Sequence, residues 1–155
     1  MLVPLRYVPK GLSRKDKKKQ IKELLKSKRL YKKDKYYTRK KVDYPVVKSK
    51  HLIHLKKIYG LNHASTDMKI GCSTDALKEI VRKGEGAYYS SGSRPNQTPQ
   101  SWGLARLASA VTGGKAAAVD YNILEKGCDH SSVPLRLALK ARQKKYYKTK
   151  KVIIK

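Results

Sequence analysis

No stretch of this chain approaches the roughly 20 apolar residues that a membrane-spanning helix requires, so such a helix is excluded. Acidic residues are scarce: 11 Asp and Glu stand against 38 Lys and Arg, a formal net charge of +27. Like charge at this density repels itself and favours expansion unless an anion neutralises it, which argues against a compact, self-sufficient enzyme. Cysteine is limited to Cys72 and Cys128, with no CxxC pair. The spacing reads as two free thiols in a reducing compartment, with a disulfide as the alternative. The leader Met1-Leu2-Val3-Pro4-Leu5-Arg6 is too short and too soon charged to be a secretory signal.

Catalytic motifs are missing too. No serine sits in a GxSxG elbow, so nucleophilic catalysis has no anchor. His51, His54 and His63, with Cys128-Asp129-His130 further on, lack the paired spacing of a structural zinc site. Thr112-Gly113-Gly114-Lys115-Ala116 looks like the end of a phosphate loop. It lacks the upstream glycine, and Ala116 stands where a magnesium-binding hydroxyl would be. The chain is expected to be no enzyme and to carry no cofactor or metal.

What is present is unevenly distributed charge. Residues 1–50 hold 19 basic and 4 acidic residues, 51–130 hold 10 and 7, and 131–155 hold 9 and none. A nearly neutral middle therefore lies between two basic ends suited to a negative partner. This predicts a basic N-terminal arm over 1–50, a helical core over 51–145 and a basic extended tail over 146–155.

Apolar spacing predicts a mainly α fold: a small core of four to five short helices, a basic N-terminal helix and extended basic arms. Pro4, Pro9 and Gly11 make 1–12 irregular. Ser13 caps a helix that ends near Leu30, with Ile21, Leu24 and Leu25 as its apolar stripe. Tyr36-Tyr37-Thr38 has β character, which predicts a short strand or an extended arm. Further helices are expected over 50–59, from Ser73 or Thr74 to Gly84, and over 101–112, 116–126 and 134–145. Residues 84–103 read as a long ordered loop in the core, pinned by Tyr88, Tyr89 and Trp102. Val152-Ile153-Ile154 is β-prone and suited to a partner's sheet edge.

The candidate binding residues are cations interleaved with planar groups. KKDKYYTRKK (32–41) and QKKYYKTKK (143–151) each set a tyrosine pair among basic residues. Lys17, Lys18, Lys19, Arg39, Lys40, Lys41, Lys144 and Lys145 suit phosphates, and Tyr36, Tyr37, Tyr146 and Tyr147 could stack on bases, sit at a lipid headgroup layer or pack on a protein. Arg94, Asn96 and Gln97 offer planar hydrogen-bonding groups for a protein contact.

The stretch GEGAYYSSGSRPNQTPQSWGLARLASAVTGGKAAAVDYNIL (84–124) resembles a family of small basic proteins, of unknown function, from large double-stranded DNA viruses of algae and protists. YVPKGLSRKDKKKQIKELLKSKRLYKKDKYYTRKKV (7–42) is similar to the same family's N-terminal part. The resemblance implies a virion protein, specifically a minor capsid protein on the inner face of an icosahedral shell. Its implied partners are major and other minor capsid proteins and, through the basic arms, the inner membrane surface or viral DNA, with no small-molecule substrate. The alternatives are a nucleic-acid-binding protein that condenses or organises viral DNA and, third, an enzyme acting on nucleic acid or protein.

Overall fold

A computed structural model describes residues 1–144 and 149–155. Among them the chain is mainly α. It runs β1 (Leu2–Pro4), a 3-10 turn (Leu5–Tyr7), α1 (Arg14–Tyr31), α2 (His51–Tyr59), α3 (Thr74–Ser90), α4 (Pro99–Val111), α5 (Lys115–Val119), α6 (Tyr121–Gly127), α7 (Val133–Gln143) and β2 (Lys151–Ile153). These elements form two compact units. The first comprises Met1–Val47, Glu85–Pro99 and residues 149–155; the second comprises Lys48–Gly84 and residues 100–144.

In the first unit α1 starts where the sequence says it should. The Ser13 hydroxyl accepts from the Asp16 amide at 3.1 Å and donates to the Asp16 carboxylate at 2.7 Å, which satisfies an orphan donor of the first turn. The inward face differs from the expected stripe. Gln20, Glu23, Leu24 and Ser27 are buried, while Ile21 and Leu25 are only half-buried. Three of those four positions are polar because α1 meets extended backbone, whose N–H and C=O groups need partners once removed from water. Gln20 donates to the Tyr7 carbonyl at 3.0 Å, and Glu23 accepts from the Lys40 amide at 2.8 Å.

The extended ends do not project. β1 and β2 pair antiparallel in the register Leu2↔Ile153, Val3↔Val152 and Pro4↔Lys151. The Met1 ammonium donates to the Ile154 carbonyl at 3.0 Å, and the Ile154 amide returns a bond to Met1 at 2.8 Å. The β-prone end thus finds its partner strand within its own chain. Val3 and Ile154 are buried beneath this ribbon.

The second unit is the apolar core, built on Leu55, Leu77, Ile80, Leu107, Val111, Leu124, Leu135 and Ala138. The expected inward face of α3, Ala76, Leu77, Ile80 and Val81, is buried. Three expectations are corrected. First, α3 does not stop at Gly84 but runs on to Ser90, and α4 begins at Pro99. The expected loop over 84–103 shrinks to the residues between them. Gly84 is a contact residue rather than a stop: a Cβ built there would lie 2.6 Å from the Gly103 Cα. Second, the helix expected over 116–126 breaks into α5 and α6 at Asp120, which ends one and begins the other with φ −98° and ψ 19°. Third, Cys72 and Cys128 are not free thiols. They form a disulfide across an antiparallel bridge. Flanking bonds run from the Ser73 amide to the Gly127 carbonyl at 2.7 Å and from the Asp129 amide to the Gly71 carbonyl at 2.8 Å. The two cysteines are therefore a non-hydrogen-bonded pair, in which side chains lie closest.

Gly84→Ala tests the close approach of α3 and α4. Helix propensity alone favours alanine by about 1 kcal/mol. Overpacking costs about 1–3 kcal/mol, and what the new methyl meets is backbone, which cannot swing aside. With backbone only 2.6 Å away the upper part of that range applies, about 2–3 kcal/mol, and we expect a net loss of about 1–2 kcal/mol in urea unfolding; equal or greater stability would show that the helices separate freely.

Candidate polyanion interface

Helix α1 carries nine Lys and Arg against Asp16 and Glu23. Lys15, Lys18, Lys22 and Arg29 recur at helical spacing, fall on one face and are all exposed. At 1.5 Å per residue they extend over roughly 21 Å. The buried residues lie nearly opposite, so the fold turns this basic stripe to solvent.

The carboxylates near it do not neutralise it. Glu23 is taken by neutral donors, the Lys40 amide and, at 2.8 Å, the Tyr37 hydroxyl. Burial and this bond both push the Tyr37 phenol above its ordinary pKa. Asp16 is held below the usual carboxylate range chiefly by the Ser13 hydroxyl, and its other oxygen accepts from the Asp43 amide at 3.4 Å. Among the described residues the ion pairs within 4 Å are Lys83–Asp120 and Arg106–Asp120, both in the second unit. The first 47 residues carry 17 basic and 4 acidic side chains, and none of these cations enters such a pair.

Of the sequence's candidates, Lys17, Lys18, Lys19, Lys40, Lys41 and Lys144 are exposed. Lys19 also reaches back to the Lys41 carbonyl at 2.7 Å and ties the following segment to α1. Lys145, Tyr146 and Tyr147 lie outside the described residues. Tyr36 is exposed. Tyr37 is not free to stack, because its hydroxyl is held by Glu23 and Lys26 sits 4.4 Å above its ring.

Arg39 is corrected outright, since it is buried. Its guanidinium donates to the Ser27 hydroxyl at 2.9 Å, the Tyr88 carbonyl at 2.8 Å and the Ser93 hydroxyl at 2.7 Å. It also lies 3.7 Å from the centre of the Tyr88 ring. Burial pushes its pKa down, but a guanidinium stays charged in proteins. Neutral acceptors and an aromatic face replace its water, so Arg39 organises the unit and is closed to a ligand.

Asn96 is likewise internal to the fold. At φ 63° it accepts from the Val42 amide at 2.8 Å and donates to the Val42 and Tyr44 carbonyls. Gln97 donates to the Val47 carbonyl at 3.5 Å, and Arg94 is half-buried. Asn96 and Gln97 hold residues 42–47 in place. Tyr88 is fully buried, whereas Tyr89 and Trp102 are half-buried. The His51 and His54 rings lie 6.2 Å apart, and among the described residues no three His, Cys, Asp or Glu gather as a metal set.

Two features escaped the sequence reading. One is Asp120, which accepts two hydrogen bonds from Arg106 at 2.8 and 2.7 Å. The other is a tyrosine cluster of Tyr31, Tyr36 and Tyr89. The Tyr31–Tyr36 spacing was a local hint, since a turn after α1 folds the second ring back on the first. Tyr89 had no local signal.

Comparison with known proteins adds a family and nothing beyond it. No curated protein and no solved structure matches the chain. A family model described as a family of unknown function, DUF5824, matches residues 4–126. The match spans well over half of the chain, which therefore belongs to the DUF5824 family.

Proposed function

We propose that this protein is a non-enzymatic structural protein that binds nucleic acid, gripping the phosphate backbone along the outward face of α1. The carrying observation is that the cations of the first unit have no carboxylate within ion-pair distance among the described residues. Backbone amides and hydroxyls occupy the two carboxylates of α1, Asp16 and Glu23, instead. A row of unpaired cations gains most from a polyphosphate, which releases its condensed counterions on contact. We rank a protein that organises viral DNA ahead of the capsid linker, because Leu2–Pro4 and Lys151–Ile153, at the outer ends of the two basic arms, pair with each other.

The test is duplex DNA binding measured against salt. Neutralising six phosphates gives a slope of log K against log salt of about −5. Replacing Lys15, Lys18 and Lys22 together by Glu is expected to flatten the slope by about 3 and weaken binding to all sequences alike. A chain that ignores duplex DNA at low salt, or a slope unmoved by the triple change, overturns the proposal.

A second reading, a minor capsid protein of the virion, has one observation in its favour. Leu2 and Ile153 are cross-strand neighbours and are 57% and 72% exposed, an apolar pair suited to a capsid protein's surface. A fixed copy number in shells emptied of DNA separates this reading from the first.

A further inference from the structure

The tyrosine cluster lies at the end of α1. The helix closes with the Lys35 amide bonded to the Leu30 carbonyl at 3.0 Å, and Asp34 takes the left-handed conformation at φ 55°. That reversal returns Tyr36 toward Tyr31, the last residue of the helix. Tyr89, in the last turn of α3, completes the group. The Tyr31 and Tyr89 rings are nearly parallel, 5° apart, with centres 6.3 Å apart. Tyr36 stands at 63° to Tyr31 and 66° to Tyr89, with centres at 6.1 and 5.2 Å.

The cluster is braced from below. Tyr88 meets Tyr89 edge-on at 5.2 Å and is itself fully buried against Arg39. On the outer side Tyr36 is 70% exposed. A large aromatic held in place on its inner side and left open on its outer side is what a stacking surface needs.

Its surroundings select the ligand. Three aromatic rings can hold a cation against their faces, but Arg29, Lys32, Lys33 and Lys35 are exposed neighbours in the chain, with Asp34 the one acid among them. A cationic ligand is repelled here. A ligand with a flat π-face joined to negative charge is favoured, and a nucleobase on its phosphate backbone combines the two. Paired bases bury their faces in the duplex, whereas unpaired bases offer them.

We infer that Tyr31, Tyr36 and Tyr89 form a stacking platform for unpaired bases, giving the protein a single-strand site beside the duplex-binding face of α1. This rests on the nucleic-acid reading above and names its substrate more closely. The test compares a fluorescent 20-nucleotide oligothymidylate with a 20-base-pair duplex at one salt concentration, using the full chain. Tyr36→Ala is expected to weaken the oligothymidylate about tenfold, as loss of one base stack does, and to leave the duplex within about twofold. Tyr36→Phe, which keeps the ring, is expected to bind as the parent does.

Equal loss on both probes, or no loss on the single strand, overturns the platform while duplex binding stands. Failure of Phe to restore single-strand binding also overturns it, because the hydroxyl and not the ring would then be the contact. If the parent chain binds neither probe, the nucleic-acid reading itself falls.

Discussion

Asp120→Ala is expected to cost about 3–5 kcal/mol, the range for breaking a buried ion pair by removing one partner. The Asp120 side chain is wholly buried and Arg106 is 22% exposed, so little water reaches the bond between them. Both carboxylate oxygens are taken by the guanidinium fork, a geometry that adds direction to charge. Lys83 lies 3.0 Å from one of the same oxygens but is 45% exposed, and its share is correspondingly small. Alanine would leave Arg106 without its acceptor at the junction of α5 and α6. Asp120→Asn keeps one acceptor oxygen and is expected to lose less. Urea unfolding at neutral pH checks both.

The same pair sets an acid limit. Burial pushes the Asp120 carboxyl up, but hydrogen bonds from Arg106 and Lys83 outweigh it and hold the group below its ordinary 3.8. A carboxyl whose folded pKa is depressed stabilises the fold fully above its unfolded value. That contribution is lost as pH falls through the folded value. The difference between parent and Asp120→Ala is therefore expected to persist down to about pH 4 and to shrink below it.

Breaking the Cys72–Cys128 disulfide is the second large effect. The bond closes a loop with a sequence separation of 56. The chain-entropy relation for a loop of that size gives about 4 kcal/mol of stabilisation through the unfolded state. Native contacts at the bridge survive reduction, because the flanking backbone bonds between Ser73 and Gly127 and between Asp129 and Gly71 do not involve sulfur. The expected result is a lower urea midpoint, after reduction or in the Cys72→Ala, Cys128→Ala double variant, with helix content unchanged under native conditions. Unchanged stability in both would mean that the unfolded chain is already constrained in that loop.

The sequence carried much of this fold and little of its interior chemistry. Ser13, the apolar face of α3 and the stop at Gly60 were readable because each is a local pattern. A hydroxyl before a helix, a spacing of three and four, and a glycine at φ 71° are all present in a short window. Gly84 was misread because a window cannot tell a glycine that ends a helix from one that lets a second helix approach. Arg39 was misread for a similar reason. It looks like any basic residue in a basic run, yet its acceptors Ser27, Tyr88 and Ser93 come from 12, 49 and 54 residues away. Only the fold brings them together. Cys72 and Cys128 illustrate the same limit: their spacing and the missing CxxC pair read as free thiols, and only the fold brings the two together as a disulfide. At the candidate interface the signal was composition: a surplus of lysine was visible, but its lack of ion-pair partners needed coordinates.

The pairing of β1 with β2 has a practical corollary. First and last strands share one ribbon, and Met1 touches Ile154. A few added residues would therefore suffice to join the termini covalently and make the molecule circular. By the same geometry, an affinity tag leaves from the same corner whichever end carries it. Either tag would start beside Leu2 and Ile153.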